Sequence, residues 1–345
     1  MFLVSCNIVL GSEISSTPTR PPILPGVSTQ KSTIITSEPL FTLDLSSTQG
    51  RKNAITSLIW LPDGKFVMAG SGGISLYQSP NAGLQPQAVP SFQSQTEAEN
   101  PILLSASRDG SDLAWVTADR TVVFWDTAKP SDAVNIRVSD FPITGLAINP
   151  NKEDLAYSNV KGEMVIWGIN SQDVINGWKR SSWLSDLSFS PDGKYLAGVD
   201  LASFTATIYT LDGQVHKRLE WTDAVYPSLT GGFFSPDWKK IAWVAQSVVQ
   251  IMDVNSGENT FLLSHEDAVG TIAWASDSTT LATSATITQG GDLIAAVFVW
   301  DSDTGKLLQT IPQISPVQSI SFAPDDRSLA IVDTDGRMQI WPLNQ

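Results

Sequence analysis

The chain has 345 residues, 42% of them hydrophobic, and its 21 Lys and Arg against 35 Asp and Glu give a formal net charge of −14. That length allows one large or two ordinary domains, and the charge disfavours nucleic acid and anionic lipid as partners because both are polyanions. One cysteine excludes an internal disulfide and a cysteine-built zinc site, and two histidines leave little for metal binding or acid–base catalysis.

The single cysteine, Cys6, follows Leu3-Val4-Ser5. This stretch resembles the bacterial lipobox, in which a branched apolar residue stands three positions before a cysteine that becomes lipidated. A signal peptide needs an apolar stretch of about 7 to 15 residues before its cleavage site, and only five residues precede Cys6. Two interpretations stay open. Either residues 1–10 are the remnant of a lipoprotein signal peptide that starts upstream, and the protein is extracytoplasmic and lipid-anchored, or the motif is accidental and the protein is cytoplasmic.

Residues 11–37 hold 11 Ser or Thr and 4 Pro and no aromatic residue. Such a composition buries too little apolar surface to offset the loss of chain entropy on folding. It predicts a flexible linker in front of a folded part that comprises residues 38–345.

The folded part is built from a repeat of 40 to 48 residues. A tight-turn motif of the SPDG type recurs seven times, with an apolar strand on each side of it and a third strand about 16 residues further on. The turns are centred on residues 63, 109, 151, 192, 237, 277 and 325. Four short strands per repeat predict an all-β, seven-bladed β-propeller of four-stranded antiparallel blades.

The strand count also predicts how the ring closes. The seventh repeat ends one strand short of four, whereas residues 38–46 have strand character and precede the first repeat. We therefore expect this N-terminal strand to pair into the last blade, which removes the exposed edges of an open sheet.

From residue 38 onward the chain resembles the WD40-repeat β-propellers, including the divergent bacterial ones. The resemblance depends on the SPDG-type turns, on the FWD and VWD sequences that end at Asp126 and Asp301, and on an Asp six residues before the third-strand Trp in two blades. It implies structural roles for one set of residues: Trp125, Trp167, Trp300, Trp341, Asp119 and Asp335. It further implies a buried hydrogen-bond network in blade six through His265, Ser284, Asp292 and Trp300, although Asp292 lies eight residues before Trp300.

In that family the loops that lead into the first strand of each blade lie on the top face. Five residues fall in or beside such loops of the neighbouring blades four and five, and they are candidates for partner binding: Trp178, Trp183, Trp221, Asp223 and Tyr226. Exposed Trp and Tyr side chains commonly anchor protein interfaces and also stack on sugars. Trp178 and Trp221 fall at the ends of fourth strands, so their alternative role is packing between blades.

The predicted first strands, which line the central channel, carry one carboxylate, Asp186, among the positions that face it. A lone acid cannot divide the acid and base roles that glycosidases assign to two carboxylates. We therefore expect no catalytic residue, no cofactor and no metal. The sequence favours a non-enzymatic, monomeric protein-interaction scaffold that meets a membrane only through a lipid anchor, and the alternative is a carbohydrate- or peptide-binding propeller with hydrolytic activity.

Overall fold

The computed structural model describes residues 27–28, 38–44, 55–70, 73–77, 88–89, 103–127, 133–137, 139–151, 153–221 and 228–344. Over these residues the chain is all-β and forms seven sheets. In five of the sheets consecutive strands pair in chain order, and each of the other two adds one strand from the N-terminal side of the chain. The seven-bladed propeller that the repeat predicts is therefore confirmed.

Strands are numbered in chain order. The first strands of the blades are β3 (Ile55–Trp60), β7 (Leu103–Ala106), β11 (Ile143–Ile148), β15 (Ser185–Phe189), β19 (Gly231–Phe234), β23 (Ile272–Trp274) and β27 (Val317–Phe322). The second strands are β4 (Phe66–Gly70), β8 (Asp112–Val116), β12 (Asp154–Asn159), β16 (Tyr195–Asp200), β20 (Lys240–Ala245), β24 (Thr280–Gln289) and β28 (Ser328–Asp333).

The third strands are β5 (Gly73–Tyr77), β9 (Thr121–Asp126), β13 (Glu163–Gly168), β17 (Thr205–Thr210), β21 (Val248–Asp253), β25 (Asp292–Asp301) and β29 (Arg337–Pro342). The outer strands of blades one to six are β6 (Ala88–Val89), β10 (Val134–Arg137), β14 (Asp173–Lys179), β18 (Val215–Glu220), β22 (Asn259–Ser264) and β26 (Lys306–Gln313). Two further strands, β1 (Val27–Ser28) and β2 (Phe41–Asp44), precede blade one.

The ring closes through β2. This strand pairs antiparallel with β29, with Phe41 opposite Ile340 and Asp44 opposite Arg337, and it supplies the outer strand of blade seven. Closure by a strand within residues 38–46 is confirmed. Since β2 covers the outer edge of β29, blade seven has four strands like its neighbours.

The short strand β1 lies on blade five. It pairs in parallel with β22, Val27 opposite Leu262 and Ser28 opposite Leu263, and makes this blade five-stranded. It falls inside the segment 11–37 that the composition predicts to be a linker. The rest of that segment and residues 1–10 lie outside the described residues, so the linker and the signal-peptide remnant stay predictions.

The apolar core consists of seven clusters, one between each pair of neighbouring blades. Strand β20 shows why: Ile241 and Trp243 pack against blade four, whereas Ala242 and Val244 pack against blade six. Successive side chains of a strand point to opposite faces, so a blade with neighbours on both sides buries both sets. The middle strands accordingly read as continuous apolar runs.

The repeated turns have a shared backbone geometry. In six of them the amide of the fourth residue donates to the carbonyl of the first, at 2.8 to 3.1 Å. Each of these fourth residues has positive φ: Gly64, Gly110, Gly193, Trp238, Ser278 and Asp326. Glycine adopts this left-handed conformation at little energetic cost, so the glycine at the fourth position of the SPDG motif suits the turn.

Blade six contains the buried histidine network, but with different members from those the resemblance implies. The Trp300 indole N–H donates to Thr283 Oγ1 at 3.0 Å, and His265 Nε2 lies 2.7 Å from the same hydroxyl. Ser284 instead accepts the amide of Thr271, and Asp292 is exposed at the far end of β25. The prediction of Ser284 and Asp292 was wrong because Thr283, one position earlier, is the residue whose side chain points toward His265.

The His265 ring is packed edge-on against Phe298 and Trp300, with ring centroids 5.1 and 5.4 Å away. This burial lowers the pKa of His265 to about 4, although contacts with the backbone at Ser247 and Leu263 oppose the shift. The imidazole is therefore neutral near pH 7. Its Nδ1 faces the Ser247 carbonyl at 3.3 Å and carries the proton, so Nε2 accepts a hydrogen bond from the Thr283 hydroxyl.

The other residues to which the resemblance gives structural roles lie in third strands and in the turns before them. Trp125 and Trp341 are buried, whereas Trp167 is half-buried. Asp119 caps its own turn, accepting the hydroxyl and amide of Thr121 at 3.2 and 3.3 Å. The carboxylate of Asp335 accepts the hydroxyl of Ser315 from the loop before β27.

Candidate partner-binding surface

Each first strand begins at the same end of the ring, which we call the top face. The loops that precede the first strands and the turns between second and third strands lie there, as alternating strand directions require. The sequence places its partner-binding candidates on this face.

Trp183 is the exposed member of the predicted set. It lies in the loop between β14 and β15 and exposes 39% of its surface. The next residue, Leu184, is buried, and its carbonyl accepts the hydroxyls of Thr144 at 2.6 Å and Ser158 at 2.9 Å. Because blade three holds the loop at this carbonyl, the indole of Trp183 is presented from a fixed backbone.

Trp178 and Trp221 pack against the apolar clusters between blades, and Trp178 is half-buried. The Trp178 ring lies 5.5 Å from that of Tyr209, and Gly213, with a φ of +87°, approaches so closely that a Cβ there would lie 2.9 Å from the indole. Trp221 is buried, with its ring centroid 6.4 Å from that of Trp243. The structure therefore places both in the packing role that the sequence left open for them.

Asp223 and Tyr226 lie outside the described residues, which resume at 228. Their role in partner binding stays a prediction.

Two further exposed apolar side chains lie on neighbouring top-face loops, and the sequence did not predict them. Phe141, in the loop before β11, exposes 37% of its surface, and Val160, in the turn after β12, exposes 42%. The Lys161 ammonium lies 5.1 Å from the centroid of the Phe141 ring. Together Phe141, Val160, Lys161 and Trp183 form what we call the top-face patch.

Backbone hydrogen bonds join the parts of this patch. The Val160 amide donates to the Pro142 carbonyl at 3.0 Å, which ties the turn to the loop that carries Phe141. The Arg180 amide donates to the Gly162 carbonyl at 2.8 Å, which ties the same turn to the loop that carries Trp183. The patch is therefore one surface at the junction of blades three and four. The sequence predicted candidates only in the loops before blades four and five, so Phe141 before blade three and the turn that carries Val160 and Lys161 were not among them.

An ion pair supports the patch from below. Arg180 Nη2 lies 3.7 Å from Asp200 Oδ2, and both side chains are largely buried. Burial raises the pKa of Asp200, but hydrogen bonds from Ser182, Ser203 and Ala202 outweigh it, so the pKa lies below its usual value. The carboxylate therefore stays charged at neutral pH and holds the start of the Trp183 loop.

The first strands also enclose a cavity of about 420 Å³ that is lined by blades two to six. On the remaining side β3 and β27 are joined directly, since the amides of Leu58 and Trp60 donate to the hydroxyls of Ser319 and Ser321 at 3.0 and 2.9 Å. Asp186 is the one ionisable residue of the lining. The channel carboxylate that the sequence singled out thus faces a real cavity.

Within the described residues, no group of three or more His, Cys, Asp or Glu side chains is arranged to hold a metal ion. Over the same part of the chain, no helix has the length and apolarity needed to cross a membrane.

Comparison with known proteins agrees with this geometry. The family profile of the WD domain, G-beta repeat, matches residues 38–75. That match contains β2 together with β3, β4 and the start of β5, so one sequence repeat spans the last blade and the first.

Three curated proteins show similarity to parts of the chain. WD repeat-containing protein 90 of Xenopus tropicalis is 25% identical over 111 residues, which is 31% of this chain and 6% of that protein. Telomerase protein component 1 of Mus musculus is 21% identical over 272 residues, or 77% of this chain and 10% of its own length. An uncharacterized WD repeat-containing protein of Synechocystis is 29% identical over 150 residues, 41% of this chain and 39% of its own length.

The chain thus spans well under half the length of each of these relatives. The similarities suggest the general kind of role, a protein-interaction scaffold. In fold and in one repeat-length match, the chain is similar to the WD-repeat β-propellers.

Proposed function

We propose that the protein is a non-enzymatic binding module that docks a partner protein on the top-face patch. The observation that carries this proposal is the contiguous exposure of Phe141, Val160 and Trp183 on loops that backbone hydrogen bonds hold together. Aromatic side chains on a preorganised backbone lose little conformational entropy when they are buried, which makes them effective anchors of interfaces.

The charge of the patch favours a protein partner over a polyanion. Lys161 contacts Phe141, Lys179 pairs with Glu163 at 3.8 Å, and Arg180 pairs with Asp200. Local cations are therefore largely engaged, in a chain whose net charge is −14. Nothing here supplies the free basic surface that phosphate backbones require.

The test is a capture experiment with the purified propeller as bait in lysate of the source organism. The double substitution Phe141→Ala, Trp183→Ala removes both rings, and we expect it to abolish capture of a protein that the unaltered bait retains. The matched control, Val174→Ala with Val215→Ala, removes two exposed apolar side chains from outer strands and should leave capture unchanged. Undiminished capture by the double variant would contradict docking on this patch.

The alternative function uses the same rings differently, since an exposed indole can stack on a sugar. A glycan array probed with the unaltered protein separates the two proposals. Binding to glycans that is lost in Trp183→Ala would replace the protein partner by carbohydrate.

We also propose that the propeller works outside the cytoplasm, anchored through a lipid on Cys6, which lies outside the described residues. The support is Leu3-Val4-Ser5-Cys6 and the Ser/Thr/Pro-rich segment behind it. Expression from the native locus with labelled palmitate, against a Cys6→Ser control, tests it. Incorporation that depends on Cys6 is the expected result, and an unlabelled protein recovered from the cytoplasm would favour the alternative interpretation.

A further inference from the structure

The cavity bounded by the first strands is lined by apolar side chains, three hydroxyl side chains and a single ionisable group. Leu103, Leu187, Phe233 and Trp274 contribute apolar surface. Two of its three hydroxyl side chains have partners: Thr144 donates to the Leu184 carbonyl, and Ser188 accepts the indole N–H of Trp238 at 3.1 Å. Asp186 is the one charged group that the lining offers to a polar ligand.

A backbone irregularity is associated with the position of Asp186 in this cavity. In the pairing of β15 with β16, Ser185 lies opposite Val199 and Ser188 opposite Ala197, so the chain bulges between them. Within the bulge Asp186 has a φ of +49°, in the left-handed region that Asp and Asn enter more readily than most residues. Bulges of this kind redirect a side chain away from the regular alternation of a strand.

The carboxylate has hydrogen-bond donors but no counter-ion. The Ser185 hydroxyl donates to Oδ2 at 2.9 Å, and the backbone N–H of Gly232 also donates to the carboxylate. None of the ion pairs among the described residues includes Asp186. An ionised carboxylate has about four acceptor positions, so about two remain open toward the cavity.

Burial raises the pKa of Asp186 to about 6, and the hydrogen bonds from Ser185 and Gly232 oppose this shift only in part. At pH 7.5 the cavity therefore contains a poorly solvated negative charge. Such a charge is stabilised strongly by any cation that reaches it.

We propose that the cavity is a binding site for an organic cation, an ammonium or guanidinium group carried on an apolar body, with Asp186 as its counter-ion. The apolar walls suit the body of such a ligand, and a volume of about 420 Å³ is in the range of small-molecule sites. A calcium ion is a poor alternative because it requires six to eight oxygen ligands and this lining offers one carboxylate. The cation is either a free amine or the Lys or Arg side chain of a bound protein.

The test uses two pairs of probes that differ in charge, titrated calorimetrically at pH 7.5. The first pair is phenethylammonium and the neutral 2-phenylethanol. The second is a blocked Ala-Lys-Phe-Ala peptide and its Ala-Gln-Phe-Ala counterpart. We expect at least one cationic probe to bind tenfold or more tightly than its neutral partner. Preference for the free amine alone identifies a small-molecule ligand, and preference for the lysine peptide alone identifies a partner's side chain.

Asp186→Asn is the decisive variant, because it keeps the shape and the acceptor for Ser185 but removes the charge. It should reduce the affinity for the cation to that of the neutral probe. The matched control is Asp192→Asn, which removes an exposed carboxylate from a turn outside the cavity and should change nothing. Equal affinity for charged and neutral probes, no binding of any probe, or a charge preference that persists in Asp186→Asn would each overturn the proposal.

The pH dependence supplies a second readout. The affinity for the cation should fall as the pH drops below about 6, where Asp186 becomes protonated. The strands packed against β15 carry four other titratable groups: Asp154, Tyr157, Tyr195 and Asp200. Asp200 is ion-paired with Arg180 and has a lowered pKa, and burial raises the pKa of Tyr157 to about 12. Asp154 lies at the turn end of β12. An affinity that stays constant from pH 7.5 to pH 5 would count against Asp186 as the counter-ion.

The site is independent of the top-face patch. Loss of partner capture in the Phe141, Trp183 double variant leaves the cavity intact, and Asp186→Asn leaves the patch intact. Failure of either proposal is therefore distinguishable from failure of the other.

Discussion

Asp186 shows how far the chemistry of one residue can be anticipated. The sequence identified it as the carboxylate of the channel-facing positions, because the repeat fixes which residues begin each first strand. Its elevated pKa depends on the bulge and on the walls contributed by four other blades, which only folding brings together. No local pattern around residue 186 encodes them.

A consequence for stability follows from this pKa. Folding raises the pKa of Asp186 from 3.8 to about 6. Between about pH 4 and pH 6 the Asp186 carboxyl is therefore ionised in the unfolded chain but protonated in the folded one, and the folded state loses stability as the pH rises through this range. Asp186→Asn should therefore raise the free energy of unfolding by roughly 1–3 kcal/mol at pH 7.5 and hardly at all near pH 4. Urea unfolding of both proteins at the two pH values measures this. A gain of equal size at both pH values would point to a cause other than charge.

Thr283 offers a second test at this scale. Its hydroxyl joins His265 to Trp300, and Thr283→Val would leave two buried nitrogen atoms without it. We expect a loss of about 1–3 kcal/mol in the free energy of unfolding, because buried polar groups are costly to leave unsatisfied. Thr283→Ser retains the hydroxyl and serves as the control. A loss as large in the serine variant would show that the methyl group, not the hydrogen bonds, is responsible.

At the level of elements, counting strands predicted both the number of blades and the manner of closure. The turns could be predicted because the fourth position of the motif has a left-handed backbone conformation, which favours glycine. Gly64, Gly110 and Gly193 occupy that position. The top-face patch could not be predicted from the sequence. Its exposure depends on how the turn that carries Val160 and Lys161 packs against the loop that carries Phe141, about twenty residues earlier. This packing arises only in the folded ring.

The strand β2 can be tested by truncation. Phe41 and Leu43 pack into the core between blades seven and one, so removing residues 1–44 should lower the free energy of unfolding by roughly 3–5 kcal/mol. The control lacks residues 1–37 and keeps β2. Thermal and urea unfolding followed by tryptophan fluorescence would compare the two. If the two truncated proteins unfold at the same midpoint, β2 does not contribute to closure as the pairing with β29 indicates.

At the level of the whole molecule, seven similar interfaces between blades account for the core, and closure satisfies the outer edge of blade seven. The described part of the chain does expose some large apolar side chains. The most exposed, Leu293 at 74% and Ile314 at 84%, lie on blade six, away from the junction of blades three and four.

We therefore expect a monomer, with a mass of 37.2 kDa by light scattering in both low and high salt. Isolated exposed apolar residues are normal on monomeric proteins and do not by themselves drive association. A dimer that dissociates in the double variant Leu293→Gln, Ile314→Gln would contradict this expectation and would place the contact on blade six.

The pairing of β2 with β29 also orders events during synthesis. Phe41 is made 299 residues before its partner Ile340. At typical synthesis rates of about 5–20 residues per second, β2 remains unpaired for on the order of 15–60 s before β29 has been made. During that interval a nascent chain carries an unpaired β-edge that can meet other chains. The contact that completes the ring can thus form only after the last strand of the propeller has been made, and during that period the unpaired edge of β2 is exposed to misassembly.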